Sequence, residues 1–189
     1  MKKFTLSSLL FLFAFAMAST TFTSCGDDDP VPGCTDADAD NFNEAADSDD
    51  SSCMYFSRFV GEYDGTFSCA FLPFSSVDLT ISQAAGTTDM LSMLATSPTL
   101  PIPISLQATI VDKDNITVTQ TLNGIDLSAL LPDPPYPASL RWDIQIDGDL
   151  ERQSDGSFSG ELDFVLTEVT SNGAVDPIED TCTFTAVPK

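Results

Sequence analysis

From Tyr55 onward, apolar and polar residues alternate with a period of two. Val77, Leu79 and Ile81 alternate with Asp78 and Thr80; Ile116 and Val118 with Thr117 and Thr119; Leu140, Trp142, Ile144 and Ile146 with Arg141, Asp143, Gln145 and Asp147. Such alternation turns one face of a strand to a core and the other to water. Further strands are expected over Phe59 to Phe67, Asp89 to Ala95, Ile104 to Asp112, Ser157 to Val169 and Thr181 to Val187. Turn signals fall at Ala85-Gly86, Asp114-Asn115, Asn123-Gly124, Asp155-Gly156 and Asn172-Gly173. No stretch has the pattern of an amphipathic helix, although Ile125 to Leu131 has room for a helical turn or two before Pro132 stops it. About eight strands of similar length predict an all-β fold, a single antiparallel meander closed as a barrel or, alternatively, a two-sheet β-sandwich. Periodicity does not choose between them.

Before Tyr55 the pattern is different. Lys2 and Lys3 precede an apolar run from Leu9 to Met17 that is too short to cross a bilayer, then small and hydroxylated residues up to Ser24, the layout of a secretory signal. Ten acidic residues lie between Asp27 and Asp50, with no Lys or Arg among them, so this segment should be extended unless something cationic binds it. With Lys2 and Lys3 removed, 29 acidic residues face five basic ones, a net charge of about −24, which makes nucleic acid and anionic lipid poor partners.

The five cysteines are an odd number. Phe22-Thr23-Ser24-Cys25 resembles the lipobox of bacterial lipoproteins, with Phe22 where leucine is usual. The resemblance implies that Cys25 is acylated after removal of residues 1–24, and that several chains anchor the protein in a membrane. Asp27, Asp28 and Asp29 are similar to the signal that sends Bacteroidota-type lipoproteins to the outer face of the outer membrane, so the expected location is the outer membrane, lipid-anchored, at the cell surface. Four cysteines remain, Cys34, Cys53, Cys69 and Cys182, an even number in an exported chain and hence two disulfides among three possible pairings. Pairing Cys34 with Cys53 would close a loop of about twenty residues, worth roughly 3 kcal/mol in the chain-entropy account. In an up-and-down barrel the first and last strands are neighbours, and a bridge from Cys69 to Cys182 would clasp that seam.

Residues 33–53 resemble a short repeat of exported Bacteroidota proteins, through Cys34, Thr35, Asp36, Ala39, Asn41, Asn43, Ala46, Asp49, Asp50, Ser52 and Cys53. Ala37 and Glu44 replace prolines of that repeat, Phe42 a tyrosine and Ser51 a glycine. Independently, Asp36, Asp38 and Asp40 alternate as in the front half of a calcium loop, with Asp47 at the place of its last carboxylate, so calcium is a candidate cofactor. The opposing expectation is a disulfide-tied acidic spacer. Phe59-Val60-Gly61-Glu62-Tyr63 resembles the opening strand of lipocalin-like domains, with Tyr63 in the tryptophan place. This divides the chain into a signal (1–24), an anchor with acidic repeat (25–54) and a lipocalin-like β-domain (55–189).

With no histidine, the chain lacks the usual general base, triad member and transition-metal ligand. It has no phosphate-binding glycine loop, nucleophile motif or zinc spacing. An enzyme would need paired carboxylates such as Asp143, Asp147, Glu161 and Asp163, most of them at solvated strand positions. The chain therefore reads as non-catalytic: a surface binding protein for a small apolar ligand, or a structural or adhesive lipoprotein with a filled barrel. A carbohydrate-binding sandwich using Trp142, Tyr136 and Tyr55 is a third reading. Met90, Leu91, Met93 and Leu94, and Leu127 to Leu131, lead into proline-rich loops that would either rim the mouth of a barrel or plug its end.

Overall fold

A computed structural model describes residues 29–71, 75–98, 103–128, 131, 136–137, 139–170 and 175–189. The signal, Cys25, Asn172-Gly173 and much of the two proline-rich loops lie outside the described residues. No described helix is long and apolar enough to cross a membrane.

Two-residue strands β1 (Pro32–Gly33) and β2 (Ser48–Asp49) pair within the acidic repeat, and a four-residue helix α1 (Phe56–Phe59) follows it. Eight longer strands then run in order: β3 (Gly61–Ser68), β4 (Ser76–Gln83), β5 (Met90–Thr96), β6 (Ile104–Ile110), β7 (Asn115–Ile125), β8 (Trp142–Arg152), β9 (Phe158–Glu168) and β10 (Ile178–Pro188). Each pairs antiparallel with the next, and β10 returns to β3, closing the barrel. The fold is thus all-β, a single meander of the lipocalin-like kind, and the sandwich alternative falls away.

The strands form where the period-two pattern placed them, because each sets an apolar series inward: Val77, Leu79 and Ile81 on β4, Ile116 and Val118 on β7, Trp142, Ile144 and Ile146 on β8. Two local expectations are corrected. Asn123-Gly124 is not a turn between strands; β7 continues through it as a bulge, with Gly124 at φ +64° and the register against β8 shifting between Leu122 and Ile125. Residue 59 belongs to α1 and not to a strand, so that Phe56 and Phe59 are buried against the barrel core. Burying an aromatic side chain of this size contributes about 1.5–3 kcal/mol. Of the helical turn anticipated after Ile125, the described residues show Leu131 N–H donating to Leu127 O at 2.8 Å.

Glycines let β8 and β9 approach closely. A Cβ at Gly148 would stand 2.2 Å from the Glu161 carbonyl oxygen, and one at Gly160 would stand 2.1 Å from that of Asp149. The disulfides join Cys34 to Cys53 and Cys69 to Cys182. Pro32–Lys189 form one compact unit, so the acidic repeat packs as part of the same body as the barrel.

Candidate functional site

The barrel interior is the first place to look for a ligand. Tyr63 points inward from β3, donates its hydroxyl to Phe59 O at 2.9 Å and meets Phe158 edge-on at 5.1 Å, while Phe59 stacks on Phe158 at 5.8 Å. Burial raises the Tyr63 pKa, so this phenol stays a neutral donor. Toward the other end of β3, Phe67 packs on Phe184 at 4.6 Å and on Phe164 at 6.3 Å. Leu91 and Met93 also point into the core instead of rimming it, and Leu127, Leu131 and Leu140 are buried as well.

Among the described residues, an apolar cavity of about 30 Å³ lies between these side chains. Its walls are Phe67 of β3, Val77 of β4, Ala95 of β5, Ile104 and Leu106 of β6, Ile146 of β8, and Leu162 and Phe164 of β9. A pocket for a drug-sized molecule measures roughly 300–1,000 Å³, an order of magnitude more. A larger open depression, about 360 Å³, borders β9 and β10 and is lined by Asp163, Val165, Glu179 and Thr181 among others.

The four aspartates of the candidate calcium loop are placed but not brought together. Asp36 Oδ1 accepts the Asp38 N–H at 2.9 Å and its Oδ2 accepts the Tyr55 hydroxyl at 3.0 Å. These two bonds, in that order, hold the Asp36 carboxyl below its ordinary pKa, and burial followed by the Asp36 bond raises that of Tyr55. Asp38 faces Arg58 at 3.8 Å and Lys113 at 3.6 Å. Asp40 accepts from the backbone N–H of Ser57 at 3.0 Å and from its hydroxyl, and Asp47 is exposed. Among the described residues the one group of three potential ligands is Cys69, Asp180 and Cys182, two of which are sulfurs of a disulfide. Asp36, Asp38 and Asp40 are thus directed to separate protein groups and do not fit a calcium coordination sphere in this arrangement.

Instead they fasten the repeat to the barrel. Arg58 sits at the join: besides Asp38 it reaches Asp114 Oδ1 at 2.7 Å and Lys113 O at 2.8 Å on the β6–β7 turn, and its own carbonyl accepts from Arg152 Nε at 2.8 Å. The cationic partner that the acidic segment needed is therefore supplied by the same chain.

Sequence reasoning missed two buried acids. Asp180 accepts the backbone N–H groups of Ala70 and Phe71, at 3.0 and 2.8 Å, and so pins the loop after β3 beside the Cys69–Cys182 bridge. Glu168, 2 % exposed, accepts the Thr170 N–H at 2.5 Å. A signal existed in each case: Asp180 is in phase with Cys182, Phe184 and Ala186, and Glu168 with Phe164 and Leu166, so both acids occupy inward positions.

Asp143, Asp147, Glu161 and Asp163 all lie on β8 and β9, and Asp163 also lines the β9–β10 depression with Glu179 and Asp180. Asp147 and Asp163 are directly opposed on the outer face of β8 and β9, where Asp147 accepts from Gln145 and Asp163 from Thr181. Asp143 accepts the Gly124 N–H at the bulge. Of the three stacking candidates, Trp142 is 1 % exposed and Tyr55 is bonded to Asp36, while Tyr136 meets Trp142 edge-on at 5.7 Å. The chain matches none of the family models, curated proteins or solved structures with which it was compared.

Proposed function

We propose that the mature protein is a lipid-anchored, non-catalytic surface protein whose barrel is a filled scaffold acting through its outer wall. The observation that carries this is the interior: among the described residues the cavity between aromatic and aliphatic side chains measures about 30 Å³, an order of magnitude less than a small apolar ligand needs. The exterior supports it further, since the larger depression lies against the outer face of β9 and β10. On this reading Cys25 carries the lipid, the outer membrane is the site of display, and the acidic repeat is the collar that mounts the barrel. Nucleic acid is a poor partner on this reading, because acidic residues far outnumber basic ones, for a net charge of −22 over the full sequence.

The test is native mass spectrometry with lipid extraction on the soluble chain from Gly26, expressed with both disulfides. The expected result is the bare mass, unchanged by added fatty acid. A stoichiometric apolar molecule that co-purifies would overturn the filled scaffold and restore ligand carriage.

A further inference from the structure

The barrel closes unevenly. Neighbouring strands share six or more residue pairs at every seam but one: β6 and β7 share three, Ala108 with Val118, Thr109 with Thr117 and Ile110 with Ile116. Both strands continue past that point. Extending the register would set Gln107 against Thr119, Leu106 against Gln120, Ser105 against Thr121 and Ile104 against Leu122, and none of these pairs forms. The phase of the ladder is set by Val111 N–H donating to Asn115 O at 2.9 Å. Every second residue of an antiparallel strand directs its N–H and C=O to a given neighbour, so the groups left facing the gap are those of Ser105 and Gln107 on one side and of Thr119 and Thr121 on the other.

Two further observations belong to the same gap. The apolar cavity takes walls from β6 and β8 but none from β7, so it lies behind the place where the two strands part. Gln120, at an inward position between Val118 and Leu122, is half-exposed and turns its amide to the carbonyl of the adjacent Thr121 at 3.1 Å. The parted edges also lack the usual guards of an exposed strand, charged side chains and proline. Ser105, Gln107, Thr119 and Thr121 are all neutral on an otherwise acidic molecule.

We propose that the β6–β7 gap is a docking site for one extended, basic peptide segment of a partner protein, added as a strand with alternate residues apolar and cationic. The unpaired backbone supplies the hydrogen bonds of strand addition. A short aliphatic side chain fits inward toward Leu106 and Ile146, and outward Lys or Arg faces Asp147 and Asp149, which stand opposite Thr119 and Thr117 on β8. That distance is about two strand spacings, near 10 Å and within a Debye length at moderate salt. A second copy of this chain is the wrong occupant, because its formal charge of −22 would repel. The proposal rests on the outward-acting scaffold, but the two fail separately, since a bound apolar molecule is read by mass and this site by amide exchange.

The experiment is residue-resolved hydrogen exchange on the full soluble chain, with and without an end-blocked octapeptide of alternating valine and lysine. In the free protein the Gln107, Thr119 and Thr121 amides should exchange much faster than Thr109 and Thr117, and the basic peptide should slow them by about tenfold or more. A valine–glutamate peptide should have no effect. Thr119→Pro removes one edge donor and should abolish the protection; Thr119→Lys, which keeps the donor and leaves the fold undisturbed, should weaken it several-fold by repelling the probe. Amides already protected in the free protein, protection that rises with protein concentration alone, or equal protection by the acidic peptide would each overturn the proposal.

Discussion

Ser51 is the one non-glycine among the described residues with a positive φ, +62°. It occupies the place where the resembled repeat carries glycine, so the turn keeps its left-handed backbone although the side chain opposes it. The Asx-type bonds on either side, Asp49 Oδ1 to the Ser51 N–H and Asp50 Oδ1 to the Ser52 N–H, both at 3.0 Å, hold it there. Relief of the left-handed strain outweighs the extra chain entropy of glycine, so Ser51→Gly should stabilise the protein by about 0.5–1 kcal/mol, measured by chemical denaturation. Asn41, one of the residues that match the repeat, ties the middle of the repeat to its C-terminal end. Its amide donates to Ser52 O at 2.7 Å and accepts the Met54 N–H at 2.8 Å, acting as a short piece of backbone across the repeat. Spacing could name Asn41 but not its task, because side-chain bonds over eleven and thirteen residues leave no periodic trace. Asp36 carries a pH prediction. Its pKa lies below the ordinary 3.8 in the folded protein, so its contribution is present above that value and is lost as pH falls through the lower, folded one. Tyr55→Phe removes one of the two main causes. The Tm gap between wild type and Tyr55→Phe should therefore be wider at pH 7 than at pH 2.5, and a gap independent of pH would refute this account.

At the scale of the elements, the alternation that named the strands is also what turns their apolar side chains into the barrel. Period two was legible because each of these strands has one wet face and one dry one. What it could not distinguish was a bulge from a turn, since Asn123-Gly124 supplies a positive φ equally well to either. Nor could it find α1, whose four residues are too few to show a helical period. The glycines at 148 and 160 stand in phase with the apolar series of their strands, and in the fold they are the points where β8 and β9 press backbone against backbone. Gly148→Ala should cost more than about 3 kcal/mol in urea unfolding, because its methyl group meets a carbonyl oxygen and not a side chain that can swing aside. Leu94→Ala, at an outward position on β5, should cost under about 1 kcal/mol, and the contrast between the two variants checks the assignment of faces.

For the molecule as a whole, barrel closure was within reach of the sequence only through an argument about neighbouring ends, with Cys69 directly after the first long strand and Cys182 on the last. The outer surface was the least legible part. Charge counts say that it is acidic, but only the register shows Asp147 set against Asp163 and Asp149 against Glu161, and only the topology brings the β6–β7 turn to Arg58. The Cys69–Cys182 bridge has one more consequence, for load. Tension between a lipid at the N-terminal side and a partner gripping the C-terminal end would enter at the repeat and leave through β10. The bridge spans a sequence separation of 113 residues, so the force would cross one covalent bond and pass by β4 to β9 entirely. Pulled from its two ends under a single-molecule tether, the oxidised protein should lengthen only by the residues outside its two bridges. Reduction of Cys69–Cys182 should add about 380 Å of contour length at roughly 3.4 Å per residue. Oxidised, the barrel is a link in which β4 to β9 bear none of the load.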